Sequence, residues 1–192
     1  MASSLKTASR FPEFFIYFQS QHPNMAHMQK KKTNPKTATP VKSTTALRVL
    51  VVDARFYEDI AEELITGAKQ ALRIAGVDFD HISVPGAFEI PAAIRFAIDS
   101  GKYDGYVALG CVIRGETTHY DYVCGESARG LNQLALEHKA AIGYGILTVE
   151  NRKQALARAL VNKGNKGAAA VEACLAMMAL KKQFKVKNDR KN

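Results

Sequence analysis

Between residues 47 and 183 the chain alternates two hydrophobic periodicities, and that alternation constrains the fold more than any other feature. Residues 47–52, apart from Arg48, are an apolar, β-branched run, the mark of a strand buried on both faces. Residues 57–75 place Ile60, Leu64, Ala68, Leu72 and Ala75 at helical spacing, with Gly76 as the stop. Residues 79–84 alternate as a second strand ended by Pro85-Gly86, and a helix over 89–100 tolerates Pro91 in its first turn and closes at Gly101. A third strand over 106–111, a long helix over 119–138 and a fourth strand over 142–149 follow. Two last helices, 151–161 and 167–183, flank the turn at 164–167. Strands separated by helices in this way predict a four-stranded parallel sheet covered by helices on both faces, an α/β three-layer sandwich without internal repeats.

The tails differ from this body. The formal net charge is +9, yet residues 1–44 contribute +6 and residues 181–192 contribute +5, leaving the body at −2. The domain is therefore expected over 45–183, with a basic N-terminal extension over 1–44 and a basic tail over 184–192. The run Lys30–Lys32 and the Thr-, Pro- and Lys-rich stretch after it bury too little apolar surface to order themselves. Two readings of the extension stand. Met1 to Arg10, free of acids, resembles a transit peptide, or else translation starts at Met25 or Met28, the reading we prefer. Basic tails are ordinarily solvated, so nucleic acid is not expected as a partner. No apolar run reaches membrane-spanning length, so no membrane partner is expected either. Cys111, Cys124 and Cys174 are odd in number and form neither a CxxC pair nor a metal spacing, which points to a reducing, cytoplasmic compartment and to no metal or cofactor.

In open parallel sheets, ligands bind beyond the carboxyl ends of the strands. That rule selects residues 54–57, 84–89, 110–119 and the segment after 149. In Gly110-Cys-Val-Ile-Arg-Gly-Glu-Thr-Thr-His119 a strand passes into a helix through a glycine-bearing loop that is no Walker A loop. Thr118 and Asp121 have capping-box spacing, which would put the amides near Glu116 and Thr117 at the positive end of the helix, a cradle for an anion. His119 would stand in the first turn, where the dipole disfavours imidazolium and leaves a ring able to accept a proton. Arg114 is expected to be a structural ion-pair partner. Pro85-Gly86 turns the chain so that Ala87, Phe88 and Glu89 offer backbone groups to hydroxyls, or simply makes a tight turn. Arg158 and Lys166 near the last helix junction could hold a phosphate and a ring oxygen, or form a solvated face. Phe56 could stack on a flat ring or pack in the core. With no nucleophile triad, carboxylate pair or metal box, chemistry here must draw its nucleophile from a substrate.

The ordered set Ala54-Arg-Phe56, Val84-Pro-Gly-Ala-Phe-Glu-Ile-Pro91, Lys102-Tyr-Asp104, residues 108–123, Gly145-Ile-Leu-Thr148 and Gly164-Asn-Lys-Gly167 resembles the lumazine synthase family over residues 47–180. The resemblance implies a flavodoxin-like fold, no cofactor, and the penultimate step of riboflavin biosynthesis. In that step 5-amino-6-(D-ribitylamino)uracil and 3,4-dihydroxy-2-butanone 4-phosphate condense to 6,7-dimethyl-8-ribityllumazine, phosphate and water. It also implies roles. Phe56 stacks on the pyrimidine, Cys111, Val112 and Ile113 line the ring, and Ala87, Phe88 and Glu89 hold ring and ribityl chain. The amides of Glu116 and Thr117 hold the phosphate with Arg158, His119 transfers protons, and Lys166 approaches a pyrimidine oxygen. Tyr144 is implied to come from a neighbouring subunit. Tyr57, Cys111 and Ala169 depart from the residues common at those places in the family, the last leaving the orienter of His119 unassigned.

The family forms pentamers, some closed into sixty-subunit shells. The absence of an insertion between Arg158 and Lys166 leans towards the shell, which could package riboflavin synthase. A non-catalytic flavin- or pterin-binding module would not need both His119 and Arg158. A signalling receiver domain would need an aspartate where Cys111, Val112 and Ile113 end the third strand.

Overall fold

The computed structural model describes residues 47–184 and 186; the expected N-terminal extension over 1–44 and tail positions 185 and 187–192 lie outside the described residues. Four strands, β1 (Arg48–Ala54), β2 (Asp78–Val84), β3 (Gly105–Ile113) and β4 (Ile142–Val149), form one sheet in the order β2-β1-β3-β4. Every neighbouring pair is parallel. The helices are α1 (Glu58–Ile74), α2 (Ile90–Ser100), α3 (His119–Glu137), α4 (Arg152–Ala159) and α5 (Lys166–Gln183), as the hydrophobic spacing predicts to within two residues at most ends.

Alternation along β1 divides the core in two. Val49 and Val51 face the cluster built from Ile60, Leu64 and Leu72 of α1, Ala155 and Ala159 of α4, and Val171 and Cys174 of α5. Leu50, Val52 and Ala54 face Ile90 and Ile94 of α2 and Leu131 and Leu134 of α3. A strand sandwiched between two such layers must be apolar on both sides, which is why β1 is unbroken apolar from Val49 to Val52, after the exposed Arg48. The result is the expected three-layer α/β sandwich. Gly76 and Gly101 end α1 and the α2 turn with φ of 65°, where a Cβ would be strained.

Two boundaries differ from the sequence reading. The third strand runs two residues further than expected, because Val112 and Ile113 still pair with Thr148 and Val149 of β4. Residues 87–89 form a separate 3-10 turn ahead of α2, and Pro91 then falls in the first turn of the helix, where its missing N–H removes no helical bond.

The strand order sets the site. From β1 the chain steps outward to β2, then crosses back over β1 to β3 and on to β4. Strand order therefore reverses between β1 and β3, and the crevice beyond their carboxyl ends is where such sheets bind ligands.

Candidate active site at the strand-order reversal

Three segments meet at this crevice. A Cβ built on Gly110 near the end of β3 would lie 3.3 Å from the Cβ of Ala54 on β1 and 3.8 Å from that of Ala87. The close approach seats the 87–89 turn against both strand ends. Ala87 is buried and anchors the turn in the core, while Phe88 and Glu89 are exposed.

Phe56 stands just beyond β1 and is 73% exposed, which removes the core-aromatic reading. Its ring meets that of Tyr57 edge-on, with centroids 4.9 Å apart and planes at 76°. Cys111 is buried, and burial pushes its thiol up to about 12, so at neutral pH it is an uncharged apolar surface and not a nucleophile. Val112 and Ile113 are half-buried beside it.

The loop after β3 corrects one expectation. Thr118 sits in the α-helical region at φ −69°, and its side chain caps nothing. The supposed box partner Asp121 instead accepts from Arg114 at 3.1 Å. The Thr117 hydroxyl takes over locally, accepting from the His119 amide at 3.4 Å. Arg114 also donates to Glu150 at 2.9 Å and lies 4.0 Å from the centroid of the Tyr120 ring. It is the structural ion-pair partner the sequence suggested, joining the β3–α3 loop to the end of β4. Glu116 and Thr117 form an exposed bend directly before α3, and His119 is its first, exposed residue. That places the two amides at the positive end of a helix of 19 residues.

Arg158 lies exposed in the last turn of α4 and donates to the carbonyl of Gln154 at 3.0 Å. Its helix is started by Asn151, which accepts from the Gln154 amide at 3.0 Å, and is tied to α1 by an ion pair between Arg152 and Asp59. Lys166 is the exposed first residue of α5. Asn165 before it adopts a left-handed backbone (φ 41°, ψ 50°) and caps the helix by accepting from the Ala168 amide at 3.3 Å. An asparagine that tolerates left-handed backbone and caps a helix explains the local Asn-Lys-Gly pattern physically.

Tyr144 is not gathered with the others. It pairs in register with Ala108, five residues before the last pair of the two strands, Ile113 with Val149, so it lies about 16 Å short of the strand ends at ~3.3 Å per residue. Sequence reasoning also missed Asp53, a fully buried carboxylate at the end of β1, whose only signal was an acid closing an apolar run.

Comparison with known proteins settles the family. The family model described as 6,7-dimethyl-8-ribityllumazine synthase matches residues 46–182. The chain belongs to the 6,7-dimethyl-8-ribityllumazine synthase family. A 6,7-dimethyl-8-ribityllumazine synthase of Methylorubrum extorquens (strain PA1) is 51% identical over 156 residues, covering 79% of this chain and 89% of that one. The enzyme of Bartonella bacilliformis is 56% identical over 138 residues, covering 71% and 91%. That of Azorhizobium caulinodans is 49% identical over 156 residues, covering 79% and 96%. Lumazine synthases are transferases of riboflavin biosynthesis, and this chain is an enzyme of that class. Among the described residues, no helix is long and apolar enough to cross a membrane, and no cluster of side chains could hold a metal ion.

Proposed function

We propose that this lumazine synthase holds its two substrates face to face in the crevice between β1 and β3, and that the attacking nitrogen belongs to the pyrimidine substrate. The reaction of the family joins 5-amino-6-(D-ribitylamino)uracil to 3,4-dihydroxy-2-butanone 4-phosphate. The observation that carries the reading is the convergence of the exposed Phe56 ring, the 87–89 turn and the end of β3 beside the positive end of α3.

In this reading Phe56 stacks on the pyrimidine, with Cys111, Val112 and Ile113 lining the ring. Ala87, Phe88 and Glu89 hold the ring and the ribityl hydroxyls, and Lys166 approaches a pyrimidine oxygen. The Glu116 and Thr117 amides and the Arg158 guanidinium hold the phosphate. The 5-amino group adds to the ketone and water leaves, giving an imine. Inorganic phosphate then departs with its bonding electrons as a proton is removed from the neighbouring carbon. The ribityl-bearing nitrogen adds to the new carbonyl, and loss of a second water closes the ring. His119 moves protons in these steps.

Holding two reactants in register contributes roughly 7–11 kcal/mol, against roughly 10²–10⁴-fold for one acid–base group. Positioning therefore dominates, and a site built of a stacking ring, backbone amides and two cations suits it. Tyr144, set back along β4, serves a neighbouring subunit's crevice, which supports assembly into pentamers. We favour closure of these into a sixty-subunit shell, with riboflavin synthase as a candidate cargo, and a cytoplasmic location in keeping with three free cysteines. A pentamer mass in solution would contradict the shell.

The test is direct. Purified protein mixed with both substrates should yield fluorescent lumazine and phosphate in equal amounts. Phosphate release without lumazine would contradict the proposal.

A further inference from the structure

A polar network that none of the roles above uses lies under the two segments assigned to the pyrimidine. Asp53 has no exposed surface. Its Oδ1 accepts from the Ser83 hydroxyl at 2.7 Å and lies 2.5 Å from Nε2 of His81. A carboxylate can only accept, so the His81 hydrogen is on Nε2. Arg55 Nε lies 3.0 Å from Oδ2, at ion-pair distance but without hydrogen-bond alignment. The same guanidinium reaches Ser83 Oγ at 3.4 Å and Glu62 of α1 at 3.3 Å, and the Arg55 amide donates to the Val84 carbonyl at 3.1 Å.

Burying a carboxylate costs several kcal/mol unless it is compensated, and an apolar residue would serve the core as well. Here the compensation comes from groups that flank the two site segments. Arg55 immediately precedes Phe56. Ser83 and Val84 immediately precede the Pro85-Gly86 turn that presents Ala87, Phe88 and Glu89. Asp53 pairs in register with Ser83, so one carboxylate fixes the end of β1 relative to the end of β2.

We propose that Asp53 is a positioning residue for the pyrimidine half of the site, acting through Arg55 and Ser83 to set the Phe56 ring against the 87–89 turn. The inference rests on the assignment of those segments to the pyrimidine. The phosphate half, at Glu116, Thr117 and Arg158, shares no bond with this network among the described residues, so the two halves should respond differently.

The experiment compares Asp53→Asn, the double variant Asp53→Asn with Arg55→Gln, which removes both charges together, and Ser83→Ala, with Phe56→Ala as the reference for the ring subsite. Steady-state KM is read for each substrate with the other saturating, alongside Tm. A misplacement of about 1 Å costs up to 10²-fold, so Asp53→Asn should raise the KM for the pyrimidine about tenfold, with the KM for the sugar phosphate within about twofold. Ser83→Ala, which keeps the His81 and Arg55 partners, should shift the same constant less, and it decides the matter if Asp53→Asn does not fold. Asp53→Glu should not rescue, because the extra methylene displaces the carboxylate. Equal rises in both KM values alongside a fallen Tm would reduce Asp53 to a structural residue and overturn the proposal, as would unchanged KM values in folded variants. If Phe56→Ala leaves the pyrimidine KM unchanged, the ring assignment itself fails and the proposal falls with it. If Phe56→Ala responds and the network variants do not, only the positioning claim fails.

Discussion

Gly167 in the first turn of α5 rests on the carbonyl of Leu64 in α1, so close that a Cβ on Gly167 would lie 2.0 Å from that oxygen. The obstacle is backbone, which cannot swing away as a side chain would. Gly167→Ala must therefore push α5 off α1 across the larger of the two core layers. We expect a loss of about 3 kcal/mol, the upper end of ordinary overpacking, read as a fall in Tm or denaturant midpoint. Because Lys166, proposed to approach a pyrimidine oxygen, immediately precedes Gly167, activity lost in the folded fraction should appear in the KM for the pyrimidine.

His119 is exposed at the start of α3, so its removal should leave the fold intact. His119→Ala should lower kcat by roughly 10²-fold, the lower end of the range for one acid–base group, because positioning supplies most of the acceleration. Activity abolished in a folded protein would contradict that ranking.

Among the described residues, the Arg158 side chain hydrogen-bonds only within its own helix, to the Gln154 carbonyl. Arg158→Ala should leave Tm unchanged and raise the KM for the sugar phosphate at least tenfold, since the proposed charge-assisted pair with the phosphate would be lost. Arg158→Lys keeps charge without the planar fork and should recover only part of it. Titration of both substrates separates this from any effect on the pyrimidine.

Much of this site could be read from the order of residues. The strand-to-helix passage at 110–119, the exposed role of Phe56 as one of two alternatives, and the ion-pair role of Arg114 all follow from local pattern. The capping box did not survive, because Asp121 has a stronger partner in Arg114, which the sequence places seven residues away with no sign that they meet. The Asp53 network was invisible for a related reason. His81 and Ser83 reach Asp53 only through the β1–β2 register, across 28 and 30 residues of chain. The setback of Tyr144 likewise depends on strand pairing, which local periodicity cannot supply.

Two buried thiols give the protein an alkaline weakness. Burial pushes both Cys111 and Cys174 up to about 12. Each folded-state value lies above the unfolded one, so the native state holds a proton that the unfolded chain releases above about pH 8.5. The stabilisation is complete below that pH and is lost as pH rises towards 12, where the native thiols also ionise. In urea titrations between about pH 9 and 11, Cys111→Ala should reduce the loss of stability by roughly 1 kcal/mol per pH unit relative to the parent. Its lumazine synthase activity near pH 7 should persist, since the role proposed for the thiol is only to line the ring. An unchanged alkaline slope would show that Cys111 is not shielded from water.

The central claim is that two small molecules are pinned together where strand order reverses. A crystal structure with a non-reactive pyrimidine analogue and inorganic phosphate measures this directly. The account predicts the pyrimidine stacked on Phe56 beside the 87–89 turn, with the phosphate on the Glu116 and Thr117 amides and an Arg158 guanidinium. A phosphate bound away from both the amides and Arg158, or a ring that leaves Phe56 bare, would contradict it.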